Sequence, residues 1–231
     1  MIRSCFGGKF AAPRQPGLCP SAWGSLVFHE PYRSAEAIRG IDGFSHLWLI
    51  FGFHQTLDQG WHPTVRPPRL GGNQRLGVFA SRSPFRPNGL GLSLVRLEGI
   101  EREVPAAPVL LLGGLDLIDG TPVFDVKPYL PYAENPLDAS GGFAPEAPPR
   151  LPVTVHEDAG EAFSRLPARA QAVLREALAL DPRPATQTAD DARIFGADLC
   201  GCNVRFTIAG GICQIVAIAC SDGLSHCSGG L

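Results

Sequence analysis

The sequence predicts a mainly β protein: a six-stranded antiparallel β-barrel domain followed by a small α+β C-terminal domain. Three observations carry this expectation. The 231 residues include Gly 27 and Pro 22, and breakers at that density suit a turn-rich β architecture better than a helical bundle. Runs rich in Val, Ile, Leu, Phe and Trp fall at 24–29, 44–53, 75–80, 91–100, 109–117 and 122–126, each bounded by turn residues. A single short helix interrupts them, over SAEAIR (34–39), with Ser34 as N-cap and Gly40 as stop.

The strand over 91–100 places Leu92, Leu94, Arg96 and Glu98 on one face and Ser93, Val95 and Leu97 on the other. Its apolar signal shifts partway along, as at a barrel corner. GGFAPEAPPRLP (141–152) is a Gly/Pro-rich connector, so the domains are expected at 1–142 and 151–231. Beyond the connector, Ala170, Val173, Leu174, Ala177 and Leu178 recur at helical spacing, which predicts an amphipathic helix over 168–180. Strands at 203–208 and 212–219 flank Ala209, Gly210 and Gly211 and form a hairpin.

Hydrophobic residues at 45% and charged residues at 18% exclude a disordered chain. No export signal or membrane-spanning run is visible, and a cytoplasmic protein is expected. The seven cysteines (5, 19, 200, 202, 213, 220, 227) include no CxxC pair, and with His226 they match no zinc spacing. Reduced, packed thiols and no metal are expected. The net charge of −2 argues against a histone-like polycation, yet it hides a segregation. Between Gln59 and Leu97 lie Arg66, Arg69, Arg75, Arg82, Arg86 and Arg96 without one Asp or Glu. Such a local positive field suits a polyanion with a defined docking face.

Nucleotide-binding motifs are missing: neither GxxxxGK[ST] nor GxGxxG occurs, and HExxH and GxSxG are absent. The most unusual stretch is SRSPFRPNG (81–89), in which two prolines fix φ, arginines flank an aromatic residue and Asn88-Gly89 permits a left-handed turn. PRQPG (13–17) is a second stiff, polar-tipped segment. His46 and His54 lie eight residues apart, on one face if their strand is regular. Asp125 and Lys127 share a face and are expected to pair.

FSHLWLIFGFHQ (44–55), RPPRLGGNQRLGVFASRSPFRPNGLGLS (66–93) and DGTPVFDVKPYLPYAE (119–134), with PRQPG ahead of them, closely resemble the TrmO family, also called TsaA or YaeB-like. The likeness covers about residues 1–135, and DPRPA (181–185) resembles the family's C-terminal extension more loosely. One difference is RPNGLGLS where the family pattern reads RPNPIGLS. The resemblance implies an S-adenosylmethionine-dependent tRNA methyltransferase on a β-barrel, acting as a homodimer on N6 of threonylcarbamoyladenosine beside the anticodon, in the anticodon stem-loop. It places cofactor contacts on Pro13, Arg14, Gln15, His54, Gln55, Arg82, Leu92, Asp119, Gly120, Thr121 and Pro122.

The target nitrogen lies between a purine ring and a carbonyl, so its lone pair is delocalised and a general base is expected near the cofactor. The candidates are His54, Asp125 and Tyr129, and the sequence does not choose among them. Arg66, Arg69, Arg75 and Arg86 are the expected tRNA-phosphate contacts. Every cofactor motif precedes the connector, so the first domain is expected to bind the cofactor alone or as a dimer.

Overall fold

The structure, a computed structural model, describes residues 1–183 and 193–220. Eight strands precede the connector: β1 (Ile2–Ser4), β2 (Trp23–Val27), β3 (His46–Gly52), β4 (Thr64–Val65), β5 (Leu76–Gly77), β6 (Leu90–Glu101), β7 (Val109–Gly113) and β8 (Val123–Pro128). Six of them form one antiparallel sheet in the order β1-β2-β7-β6-β3-β8. Alternation along β3 turns Leu47, Leu49 and Phe51 inward, onto Val95, Leu110 and Leu112.

The sheet curls into a half-barrel. Its edge strand β1 reaches the turn that feeds its other edge, with Ile2 N donating to Thr121 O at 2.9 Å and Gly120 N to Ile2 O at 2.9 Å. The shift anticipated in the longest strand is a bulge in the β6–β7 pairing between Leu97 and Gly99.

Two sequence expectations are corrected. The 75–80 run is not a strand of this sheet: β5 pairs only with β4, and Val78–Ala80 forms a 3-10 turn. Only Val78 of that turn is buried while Phe79 is 73% exposed, so no alternating apolar face exists to enter the core. Its place in the sheet is taken by β1. The expected helix over 34–39 is a single 3-10 turn, Glu36–Ile38.

After the short helix α1 (Pro131–Glu134) come β9 (Val153–Val155), α2 (Glu157–Ser164), α3 (Ala168–Leu178), β10 (Phe195–Leu199), β11 (Cys202–Ala209) and β12 (Ile212–Cys220). They build a second sheet ordered β10-β11-β12-β9, with β9 parallel to β12. The predicted apolar stripe of α3 is buried at all five positions. Cys202 and Cys220, partners in the β11–β12 register, are joined by a disulfide. That corrects the expectation of reduced thiols throughout, because the strand register brings the two side chains face to face. Cys5, Cys19, Cys200 and Cys213 are buried thiols, and burial pushes Cys19 well above the ordinary thiol range. Cys227 and His226 lie outside the described residues.

The N-terminal segment links the two sheets. Gly7 N donates to Asp198 O at 3.0 Å, Cys200 N donates to Cys5 O at 2.7 Å, and Phe6 bridges Leu199. Phe10 stacks on Phe195 and Phe206, and Phe6, Ala11, Cys19 and Ala22 share a core with α2, α3 and β11. Arg169 of α3 adds a clamp: it holds both carboxylate oxygens of Glu98 at 2.8 Å, donates to Ser21 O at 2.9 Å and lies over the Trp23 ring. Glu176 accepts from Ser21 N and Oγ at 2.9 and 2.8 Å.

Two outcomes follow from this packing. Deleting the chain after residue 140 strips the partners of Phe6, Cys19 and Ala22, so that fragment should bind cofactor more weakly than the full chain. Calorimetry on both species checks this, and equal affinity would contradict it. Gly89 has φ +58, and a Cβ there would stand 2.7 Å from Leu57 Cδ2. Gly89→Ala should therefore lower unfolding free energy by about 1–2 kcal/mol, read by denaturant titration.

Candidate active site

Two stiff loops meet beside the curled sheet. The 81–89 loop is braced from within: Arg86 Nη1 donates to Val78 O at 3.2 Å and Ser81 O at 2.8 Å, and its guanidinium lies over the Phe79 ring. Pro84 and Pro87 limit the backbone on either side. From this frame Arg82 extends to the 13–17 loop, where its Nη1 donates to Gln15 Oε1. The second loop hangs from the segment that packs against α3 and β10. Its Arg14 lines a cleft with Asp181 and Pro182. A two-pronged bond from Arg183 at 2.9 and 2.8 Å holds the Asp181 carboxyl below its ordinary range, and Arg14 adds to the effect. The first two residues of DPRPA thus line the same cleft as Pro13 and Arg14, while Pro184 and Ala185 lie outside the described residues.

The sheet supplies a third part, which sequence reasoning missed. Ser93 of β6 is fully buried, and its hydroxyl donates to Asp116 Oδ1. Asp116 follows β7 and is the carboxylate on which the Arg82 charge bears. Burial pushes the Asp116 carboxyl up to about 6, against the opposing pull of Ser93 and Arg82. The only signal in the sequence is one carboxylate inside the apolar run VLLLGGLDLI (109–118).

The turn at Asp119, Gly120, Thr121 and Pro122 follows directly. Thr121 is buried and bonds Ile118 O at 2.7 Å, whereas Asp119 accepts from Ser4 N at 3.0 Å and faces Arg3 at 3.6 Å. Gly52 N donates to Pro122 O at 3.0 Å, so the end of β3 and the following His54-Gln55 turn adjoin the same turn. His54 lies beyond the strand, with its N–H on Gly52 O at 2.9 Å, so it does not share a strand face with His46 as expected. Leu92, next to Ser93, points to the opposite face and is 53% exposed.

The three base candidates are not brought together. Tyr129 packs edge-on against His46 and Trp48. That is the start of β3, and His54 follows its end, a separation of roughly 20 Å for six steps along a strand. Asp125 is opposite Ile50 and pairs with Lys127 at 3.5 Å, as anticipated. Of the arginines assigned to phosphates, Arg66 and Arg75 are exposed, exposed Arg69 donates to Glu146 O, and Arg86 is turned inward onto its own loop.

Comparison with known proteins places both units in one family. The TrmO N-terminal domain, described as the tRNA-methyltransferase O N-terminal domain, matches residues 1–135, and the TrmO C-terminal domain matches 148–221. The chain is 46% identical to the tRNA (adenine(37)-N6)-methyltransferase of Escherichia coli (strain K12), over 94% of each chain. It is 47% identical to a putative S-adenosylmethionine-dependent methyltransferase, RcsF, of Pseudomonas aeruginosa, covering 89% of this chain and 88% of the relative. Among solved structures, TrmO from Pseudomonas aeruginosa superposes with a TM-score of 0.77 at 39% identity, covering 94% of both chains. With both units matched and the motif-bearing loops gathered at one place, the protein belongs to the TrmO family.

Proposed function

We propose that this protein is an S-adenosylmethionine-dependent tRNA methyltransferase acting on N6 of the adenine just 3′ of the anticodon, in its threonylcarbamoyl form. The observation that carries this reading is the Arg82–Gln15 junction, which joins two motif loops separated by 67 residues. The donor set fits the cofactor. A guanidinium and an amide suit the carboxylate of its amino-acid end, exposed Leu92 offers apolar surface, and nothing lies within 4 Å of where a Cβ would stand at Gly120. Pro13, Arg14, Gln15, His54, Gln55, Arg82, Leu92 and the Asp119, Gly120, Thr121 and Pro122 turn would hold it. When bound, S-adenosylmethionine supplies a methyl group on a sulfonium.

The chain's own task is to orient the adenine nitrogen in line, exclude water and accept its proton. Adjacency to the Pro122 turn favours His54 as acceptor over Tyr129, with Asp125 between them along β8. An anticodon-loop base is already unpaired, so presenting it costs less than flipping from a duplex. Arg66, Arg69 and Arg75 supply the phosphate-facing charge, and Arg86 supports that face by stiffening the loop. The units 1–142 and 151–231 work as one cytoplasmic enzyme, with the half-barrel completed to a closed barrel. Exposed Leu92 and Phe124 support burial of that sheet face in a homodimer.

Purified protein should release S-adenosylhomocysteine only when tRNA bearing the threonylcarbamoyl group is added, and release without tRNA contradicts the assignment. Arg66→Ala should lower tRNA affinity and reduce the salt slope by about one, with cofactor affinity unchanged. Arg82→Ala should instead cost about 1.5–3 kcal/mol in cofactor binding at a nearly unchanged slope. If Arg82→Ala lowers the slope and leaves cofactor affinity intact, the 81–89 loop is an RNA-docking element.

A further inference from the structure

The N-terminal segment and the second sheet meet at two thiols. Phe6 and Leu199 face each other across an antiparallel bridge, flanked by Gly7 N on Asp198 O at 3.0 Å and Cys200 N on Cys5 O at 2.7 Å. That register sets Cys5 directly opposite Cys200, which in an antiparallel pair puts the Cα atoms about 5.5 Å apart. Disulfides span Cα separations of roughly 4.4–6.8 Å. Both residues are buried in one core, at 5% and 1% exposure, and their side chains share a hydrogen bond. Cys200 and Gly201 are the two central residues of the β10–β11 turn, with φ +54 and +76. Asn-Gly is the usual filling of such a turn, so the fold keeps a thiol where it carries backbone strain.

We propose that Cys5 and Cys200 form a redox modification site: a low-molecular-weight disulfide oxidises the pair to a disulfide that staples the N-terminal segment to the second sheet. The Cys5 thiolate attacks one sulfur of the small disulfide, forming a mixed disulfide and expelling one small thiolate. The Cys200 thiolate then attacks the Cys5 sulfur and expels the second. Two cysteine thiols are oxidised, one small disulfide is reduced to two thiols, and these take up the two protons lost. Cys5 suits the first step, since it follows a three-residue edge strand at the chain end, where local opening is easiest. Burial opposes its ionisation, but the bonds from Cys200 and the Trp23 backbone and the Arg169 charge outweigh it, so the thiol ionises below its ordinary value. Buried Cys213, by contrast, is pushed up to about 12. The same sheet already holds one oxidised pair, Cys202–Cys220. The second bond would fix the segment from which the 13–17 loop continues, whatever ligand that loop meets.

The test exposes the full chain to oxidised glutathione, quenches in acid and maps unreduced tryptic peptides of wild type, Cys5→Ser and Cys200→Ser. Cys5 falls in peptide 4–9, Cys200 and Cys202 in 194–205, and Cys220 in 206–231. In the wild type all three peptides should run as one cross-linked species, where before treatment only the last two are joined. The melting temperature should rise by about 5–10 °C. Both variants should leave 4–9 apart from 194–205 and show no rise. The proposal is overturned if 4–9 stays unmodified, ends as a stable glutathione adduct, or joins the Cys19 peptide 15–33 instead. A melting rise that persists in Cys5→Ser overturns it as well. Should either variant fold poorly, the wild-type peptide map decides by itself.

Discussion

The first twenty-two residues serve two cores at once, and the remainder of the molecule depends on that sharing. Ile2 is buried in the half-barrel, while Phe6, Ala11, Cys19 and Ala22 are buried with α2, α3 and β11. The segment between them cannot drift, because Cys5 N bonds Trp23 O of β2, Gly7 N bonds Asp198 O of β10, and Ala22 O accepts from Gly114 N just past β7. A loop carrying Arg14 and Gln15 would otherwise be a flexible terminus. Its ends are pinned by apolar burial, and rigid placement is what a binding loop needs to avoid ordering costs on association.

Electrostatics reinforces the same junction without being spent evenly. Eighteen of the twenty basic residues are arginine, and several do structural work through their planar forks. Arg169 spans Glu98, Ser21 and Trp23; Arg86 braces its own loop; Arg183 grips Asp181. Exposed pairs such as Arg165–Glu161 and Arg39–Glu36 contribute little to stability. What is left over on the 59–97 stretch is exposed Arg66 and Arg75, without an acidic residue in the same segment.

Much of this was legible before the fold. The five-residue stripe of α3, the β11–β12 hairpin around Gly210-Gly211 and the change of face near Leu97 are local periodicities, and local signals survive folding. The run at 75–80 deceived because its residues have strand propensity but no neighbour with an open edge to pair with. β1 was missed for the opposite reason: IRS is too short and polar to announce itself, and it becomes a strand only through Trp23–Val27. Ser93 and Asp116 are twenty-three residues apart. No spacing rule links a hydroxyl on one strand to a carboxylate past the next, so this buried contact was visible only in three dimensions.

The shared N-terminal segment also sets an order of events during synthesis. Residues 5–22 leave the ribosome well before their apolar partners at 159–178 and 195–215 are made. Until then Phe6 and Phe10 have nowhere to be buried, and the 13–17 loop cannot take its place beside Arg82. The strands from β2 to β8 can pair while the chain is still growing, since their contacts are nearer in sequence. The first unit is therefore shaped early and completed late, with its 13–17 loop set only after the closing strands of the other unit arrive.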